Sequence, residues 1–172
     1  MLALSLILLG FSMAQAQTQS QQIKKGETPT GINPSEWASI QKQIQMGKYK
    51  AYPQQEGGYA SANLAHGFQI AYTQEGKTIL SPRNTEQADY RIAMRLEGIG
   101  YNTLFPLDNP IRLEREDLGA SSGSKVSYQW NENLKEWWVN EEQGLEQWFS
   151  LQEAPQGRTT NTPLHLRMAL DT

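Results

Sequence analysis

Trp130, Trp137, Trp138, Trp148 and Phe149 share the stretch Trp130–Leu151 with Glu136, Glu141, Glu142 and Glu146. Two chemistries use such a set. Aromatic rings can stack against sugar rings, and two carboxylates across a cleft can cleave a glycosidic bond. The candidate binding residues are therefore Trp137, Trp138, Trp148, Glu136 and Glu146. A second reading needs no ligand. Aromatic side chains fit a pleated, half-buried surface and bury large areas, so the rings serve as core while the acids solvate the opposite face. Trp137 and Trp138 are adjacent, and adjacent residues of a strand point to opposite faces. One of them must face away from the core unless the sheet is covered on both sides.

Other familiar chemistries find little support. His66 and His165 are far apart and fit no metal-ligand spacing, and there is no cysteine to complete a zinc site. Asp89, Asp108, Asp117 and Asp171 are isolated, unlike the ligands of a calcium loop. No G-x-S-x-G elbow occurs, and Ser121-Ser122-Gly123-Ser124 reads as a turn before a strand. Gly57-Gly58 and the pair Gly98 and Gly100 lack the Lys-Ser/Thr signature of a phosphate loop. No catalytic residue, metal or cofactor is expected. The net charge of −3, without basic runs, argues against nucleic acid and anionic lipid as partners.

These residues need elements to hold them. Leu2–Met13 is apolar and uncharged, and Ala14-Gln15-Ala16 fits the small-x-small rule, so residues 1–16 read as a secretory signal peptide. No Lys or Arg precedes the apolar run, a departure from the usual signal. No other segment is apolar enough to span a bilayer. Residues 17–32 form a Gln-rich polar leader. Residues 33–172 form a β-rich module without disulfides, stabilised by core packing or by continuation into a larger body. It opens on a helix: Asn33 is the N-cap, Pro34 takes the first helical position and Glu36 completes a capping box. Trp37, Ile40 and Ile44 give that helix an apolar stripe for packing on a sheet, and Gly47 ends it.

The period then changes to two. Phe68, Ile70 and Tyr72 alternate with polar or small residues, and a Gln74–Lys77 turn returns the chain through Thr78–Leu80. Tyr90, Ile92, Met94 and Leu96 form the cleanest half-buried strand, broken or bent at Gly98-Ile99-Gly100. Ile111 with Leu113, the run Lys125–Trp130, the runs Leu134–Val139 and Leu145–Leu151, and Leu164–Leu170 follow. Short strands separated by Gly, Asn and Pro turns indicate an all-β antiparallel sandwich or meander with one short N-terminal helix. A patterned last strand followed only by Asp171 and Thr172 reads as an incomplete sandwich, the front part of a longer domain.

Several runs occur in an informative order: W-x-x-I at Trp37–Ile40, GGYASAN at 57–63, LEGIGY at 96–101 and V-S-Y-x-W at 126–130. L-x-E-W-W-V-N at 134–140 and G-L-E-Q-x-F-x-L at 144–151 follow. This order resembles the N-terminal β-rich region of large secreted bacterial proteins, which often carry FG-GAP or VCBS-type repeats. The repeats themselves are absent here. The resemblance implies an exported β-module with no assigned catalysis, located in the periplasm, outside the cell or on its surface. It carries over no functional residue. The expected function is a non-catalytic secreted or cell-surface module with a structural or interaction role, its partner an unknown protein or glycan. The alternative is a carbohydrate-binding or carbohydrate-cleaving β-sandwich that uses the Trp/Glu cluster at 130–149.

Overall fold

The structure is a computed structural model that describes residues 27–86, 89–118, 123–159 and 161–172. The signal-like segment 1–16, most of the polar leader, and Ser121 and Ser122 lie outside the described residues. No helix among the described residues is long and apolar enough to cross a membrane.

Helix α1 spans Pro34–Gly47. Its start follows the capping logic: the Asn33 side-chain oxygen accepts from the Glu36 backbone N–H at 2.9 Å, and Glu36 accepts from the Asn33 N–H at 3.3 Å. Ile40 and Ile44 are 38% and 56% exposed, so this part of the apolar stripe is not core as expected.

Among the described residues eleven strands follow, in two antiparallel sheets. Strands β1 (Tyr52–Pro53), β2 (Tyr59–Asn63), β3 (Phe68–Tyr72), β4 (Lys77–Pro82), β5 (Ile92–Gly100), β6 (Leu104–Pro106) and β11 (His165–Asp171) form the larger sheet. Its order is β1-β2-β3-β4-β5-β11, with β6 pairing on β5. Strands β7 (Arg112–Asp117), β8 (Ser124–Gln129), β9 (Leu134–Glu141) and β10 (Gly144–Leu151) form the second sheet as a meander, ordered β10-β9-β8-β7. Among the described residues the fold is all-β with one short helix, as the periodicity indicates.

The inner faces of the two sheets share one core. Ile70, Tyr72, Leu96 and Ile99 from the larger sheet meet Val126, Tyr128, Trp130, Leu134 and Trp138 from the smaller side. Burying each such side chain contributes about 1.5–3 kcal/mol. Hydrogen bonds tie the sheets as well. The Tyr128 hydroxyl donates to the Lys77 carbonyl at 2.8 Å. Asn63 donates to the Asn140 side-chain oxygen at 2.9 Å and to the Glu141 carbonyl at 2.8 Å. Asn140 in turn donates to the carbonyls of Tyr49 at 3.2 Å and Ala62 at 3.1 Å. Both asparagines are buried, and pairing keeps their desolvation from destabilising the fold.

Two expectations for individual strands change. β5 does not break at Gly98-Ile99-Gly100, though an irregularity lies beside Gly98; it continues and pairs with both β6 and β11. Met168 pairs with Leu96 and Arg167 with Gly98, so Glu97 is an extra residue on β5. A bulge of this kind flips the side-chain alternation. Ile99 thereby reaches the core although it is an odd number of positions from Leu96. A side chain at Gly100 would collide with the Thr103 carbonyl, which keeps the β5–β6 hairpin tight. Second, Ile111 is 66% exposed, while Leu113 packs against the core.

Candidate functional site

The five candidate residues are held by one hairpin, β9–β10. Its geometry comes from pairing in register from Gly144↔Glu141 to Leu151↔Leu134, with Gly144 at φ 146° entering β10. The same pairing places Trp148 opposite Trp137, Glu146 opposite Val139 and Gln147 opposite Trp138. Burial along β9 alternates strictly, with Leu134, Glu136, Trp138 and Asn140 inside. Strand parity therefore divides the set. Trp138 and Glu136 point inward; Trp137, Trp148 and Glu146 lie on the outer face.

Glu136 is 2% exposed and sits among aromatic side chains. Its Oε2 accepts from Trp130 Nε1 at 2.8 Å. Its Oε1 accepts from Trp138 Nε1 at 2.8 Å and from Gln147 Nε2 at 2.9 Å. Burial pushes the Glu136 carboxyl above its ordinary value, and the hydrogen bonds from Gln147, Trp130 and Trp138 pull it partly back. The expectation that these acids solvate an outer face is thus reversed for Glu136. It is the acceptor that lets two tryptophans be buried with their N–H groups paired. Trp130 is gripped from a second side by Arg95, whose guanidinium lies 5.3 Å from the ring centroid. Arg95 is itself aimed by the carbonyls of Glu75 and Asp108, each at 3.0 Å.

The outer face is different in kind. Trp137 and Trp148 lie near-parallel, with 6° between ring planes and 6.5 Å between centroids. Trp148 is 50% exposed, and its Nε1 donates to Glu146 Oε2 at 3.1 Å. Across the sheet, Ser127 and then Glu114 continue the Trp137 row. Lys125 bonds Glu116 at 2.6 Å, and that hydrogen bond and charge hold the Glu116 carboxyl below its usual range. This face carries a stacked aromatic pair with a carboxylate beside it, bordered by paired charges.

Comparison with protein-family models, with curated proteins and with solved structures returns no match. The site is therefore read from its own chemistry.

Sequence reasoning missed three participants. Gln147 completes the Glu136 acceptor set, and Asn63 and Asn140 clasp the sheets. A signal was present: Asn63 and Asn140 close the runs GGYASAN and L-x-E-W-W-V-N. Glu136 and Trp138 are two apart, hence on one face of a strand. No group of three or more potential metal ligands occurs among the described residues.

Proposed function

We propose that this chain is a non-catalytic exported β-module with a structural or interaction role, and that the outer face of β7–β10 is its contact surface. The observation that carries the reading is the division of the aromatic–acid set. Glu136 is committed to pairing buried tryptophans, while Trp148 is presented to solvent beside Trp137. Exposed aromatic side chains with a polar border are the usual anchors of binding surfaces. The signal-like segment 1–16 and the resemblance to exported bacterial β-modules support the setting.

A second reading, carbohydrate binding, is favoured by the half-exposed Trp148 ring, because an exposed aromatic face packs well on a sugar ring. A cleaving version is less well supported. Hydrolysis needs two carboxyl groups facing the same glycosidic bond, and Glu136 faces the interior instead. Retention on a panel of insoluble polysaccharides, measured for the native chain, Trp137→Ala and Trp148→Ala, separates the readings. The interaction-module reading expects no glycan retention that depends on these rings. Retention of the native chain that is lost in either variant would hand the role to carbohydrate binding. Release of reducing sugar that depends on Glu146 would overturn the non-catalytic reading.

A further inference from the structure

The larger sheet ends at β11, whose second side pairs with no strand among the described residues. Its first side is occupied by β5 from His165 to Asp171. A free strand edge is a template for another strand, and proteins usually blunt it with charged side chains, Pro or a bulge. His165–Asp171 contains no Pro; of its two charged side chains, Arg167 is paired with Glu97 at 3.5 Å and Asp171 stands at the end of the strand, and the irregularity of the β5–β11 pairing lies on β5 at Glu97. Leu166 and Leu170 on this strand are 39% and 68% exposed. The edge of the other sheet, β10, lies on the same side of the molecule, since Gln147 Nε2 is 3.9 Å from Met168 Sδ.

The strand is complementary to itself. Antiparallel pairing of two copies centred on Met168 sets His165 opposite Asp171 and Leu166 opposite Leu170. Arg167 then faces Ala169, and Met168 faces its own copy. Each row joins side chains on the same face of the sheet, as antiparallel pairing requires. Both ends place an imidazole donor against a carboxylate, and the middle rows bring exposed leucines together. Moving the centre by half a residue, between Met168 and Ala169, would set Leu166 against Asp171 and Arg167 against Leu170 and would invert one sheet relative to the other. Centring on Ala169 keeps the faces but aligns fewer rows.

We propose that β11 is a homodimerisation strand: a second copy of this chain adds its own β11 antiparallel, about a twofold axis at Met168. The larger sheets of the two copies then join edge to edge in an isologous interface. The proposal does not rest on the Trp137–Trp148 face, so either can fail without the other.

Sedimentation velocity of the full chain should show a concentration-dependent dimer. Asp171→Lys, which sets Lys against His165 twice per dimer, should weaken it about tenfold. Adding His165→Glu to that variant should restore it. Residues 165 and 171 are exposed, so both variants should keep the fold. The chain has no cysteine, so a single introduced thiol reports register. Under mild oxidation, Met168→Cys should form a disulfide-linked dimer and Ala169→Cys should not. A chain that stays monomeric at every concentration, a dimer indifferent to Asp171→Lys, or cross-linking through Ala169→Cys in place of Met168→Cys would overturn the proposal.

Discussion

The two faces of the β9–β10 hairpin carry nearly the same residue types and do opposite things. Inside, Trp138 is 3% exposed and its N–H is paired with Glu136. Outside, Trp137 stacks near-parallel to Trp148, whose N–H is paired with Glu146. Both faces combine a ring and an acid two residues apart on one strand. The difference is solvent. On the inner face the carboxyl must be satisfied by protein donors, and three converge on it. On the outer face Trp148 is half exposed, and solvent can satisfy what the protein does not. An acid beside a tryptophan is thus a structural device in one setting and a candidate contact in the other.

Mutations that treat the two faces alike test this contrast, beginning with the largest expected effect. Trp138→Ala removes a fully buried ring and should destabilise the fold by about 3–5 kcal/mol, read from chemical denaturation. Glu136→Leu keeps most of the volume but leaves two indole N–H groups and the Gln147 amide without an acceptor. A cost of about 2–4 kcal/mol is expected, and a near-neutral result would show that the acid is not the organiser of this core. A smaller effect concerns pH. Because the folded-state Glu136 carboxyl is raised by burial, the native state holds its proton more tightly than the unfolded chain. The contribution is fully present below the unfolded value. It declines as pH rises through the raised folded value. Glu136→Gln should lack this decline when unfolding free energy is followed from pH 4 to 8. An identical pH profile in both proteins would place the titration elsewhere. The smallest effect belongs to the outer face. Trp148→Ala should change stability by no more than about 0.5 kcal/mol, as for most exposed positions. A loss comparable to that of Trp138→Ala would mean the outer pair is structural and would remove the candidate contact surface.

Much of this architecture is legible in the residues themselves. Asn33, Pro34 and Glu36 mark a helix start because their side chains pair the first free N–H groups locally. Val126, Tyr128 and Trp130 share a buried face because strand side chains repeat every two residues. The opposite directions of Trp137 and Trp138 follow from the same rule. The expectations that changed all depended on partners outside the local strand or helix pattern. Ile40 and Ile44 have helical spacing, but spacing does not supply a surface to cover them. Gly98 and Gly100 look like breakers, yet strands on both sides of β5 hold that segment extended. Glu136 looks like a solvated acid until Trp130 and Gln147 arrive from β-hairpin neighbours on either side.

Local periodicity and turn chemistry therefore set the all-β character, the helix start, the hairpins of the second sheet and the pairing of residue types on each strand face. These are short-range consequences of backbone geometry. Which face became interior was decided only when the two sheets closed on one another. The same closure committed Glu136 to buried donors, joined Asn63 to Asn140 across 77 positions of chain and left the outer side of β11 without a strand among the described residues. Burial, desolvation and hydrogen-bond satisfaction depend on neighbours brought together from distant parts of the chain, and no local pattern contains them.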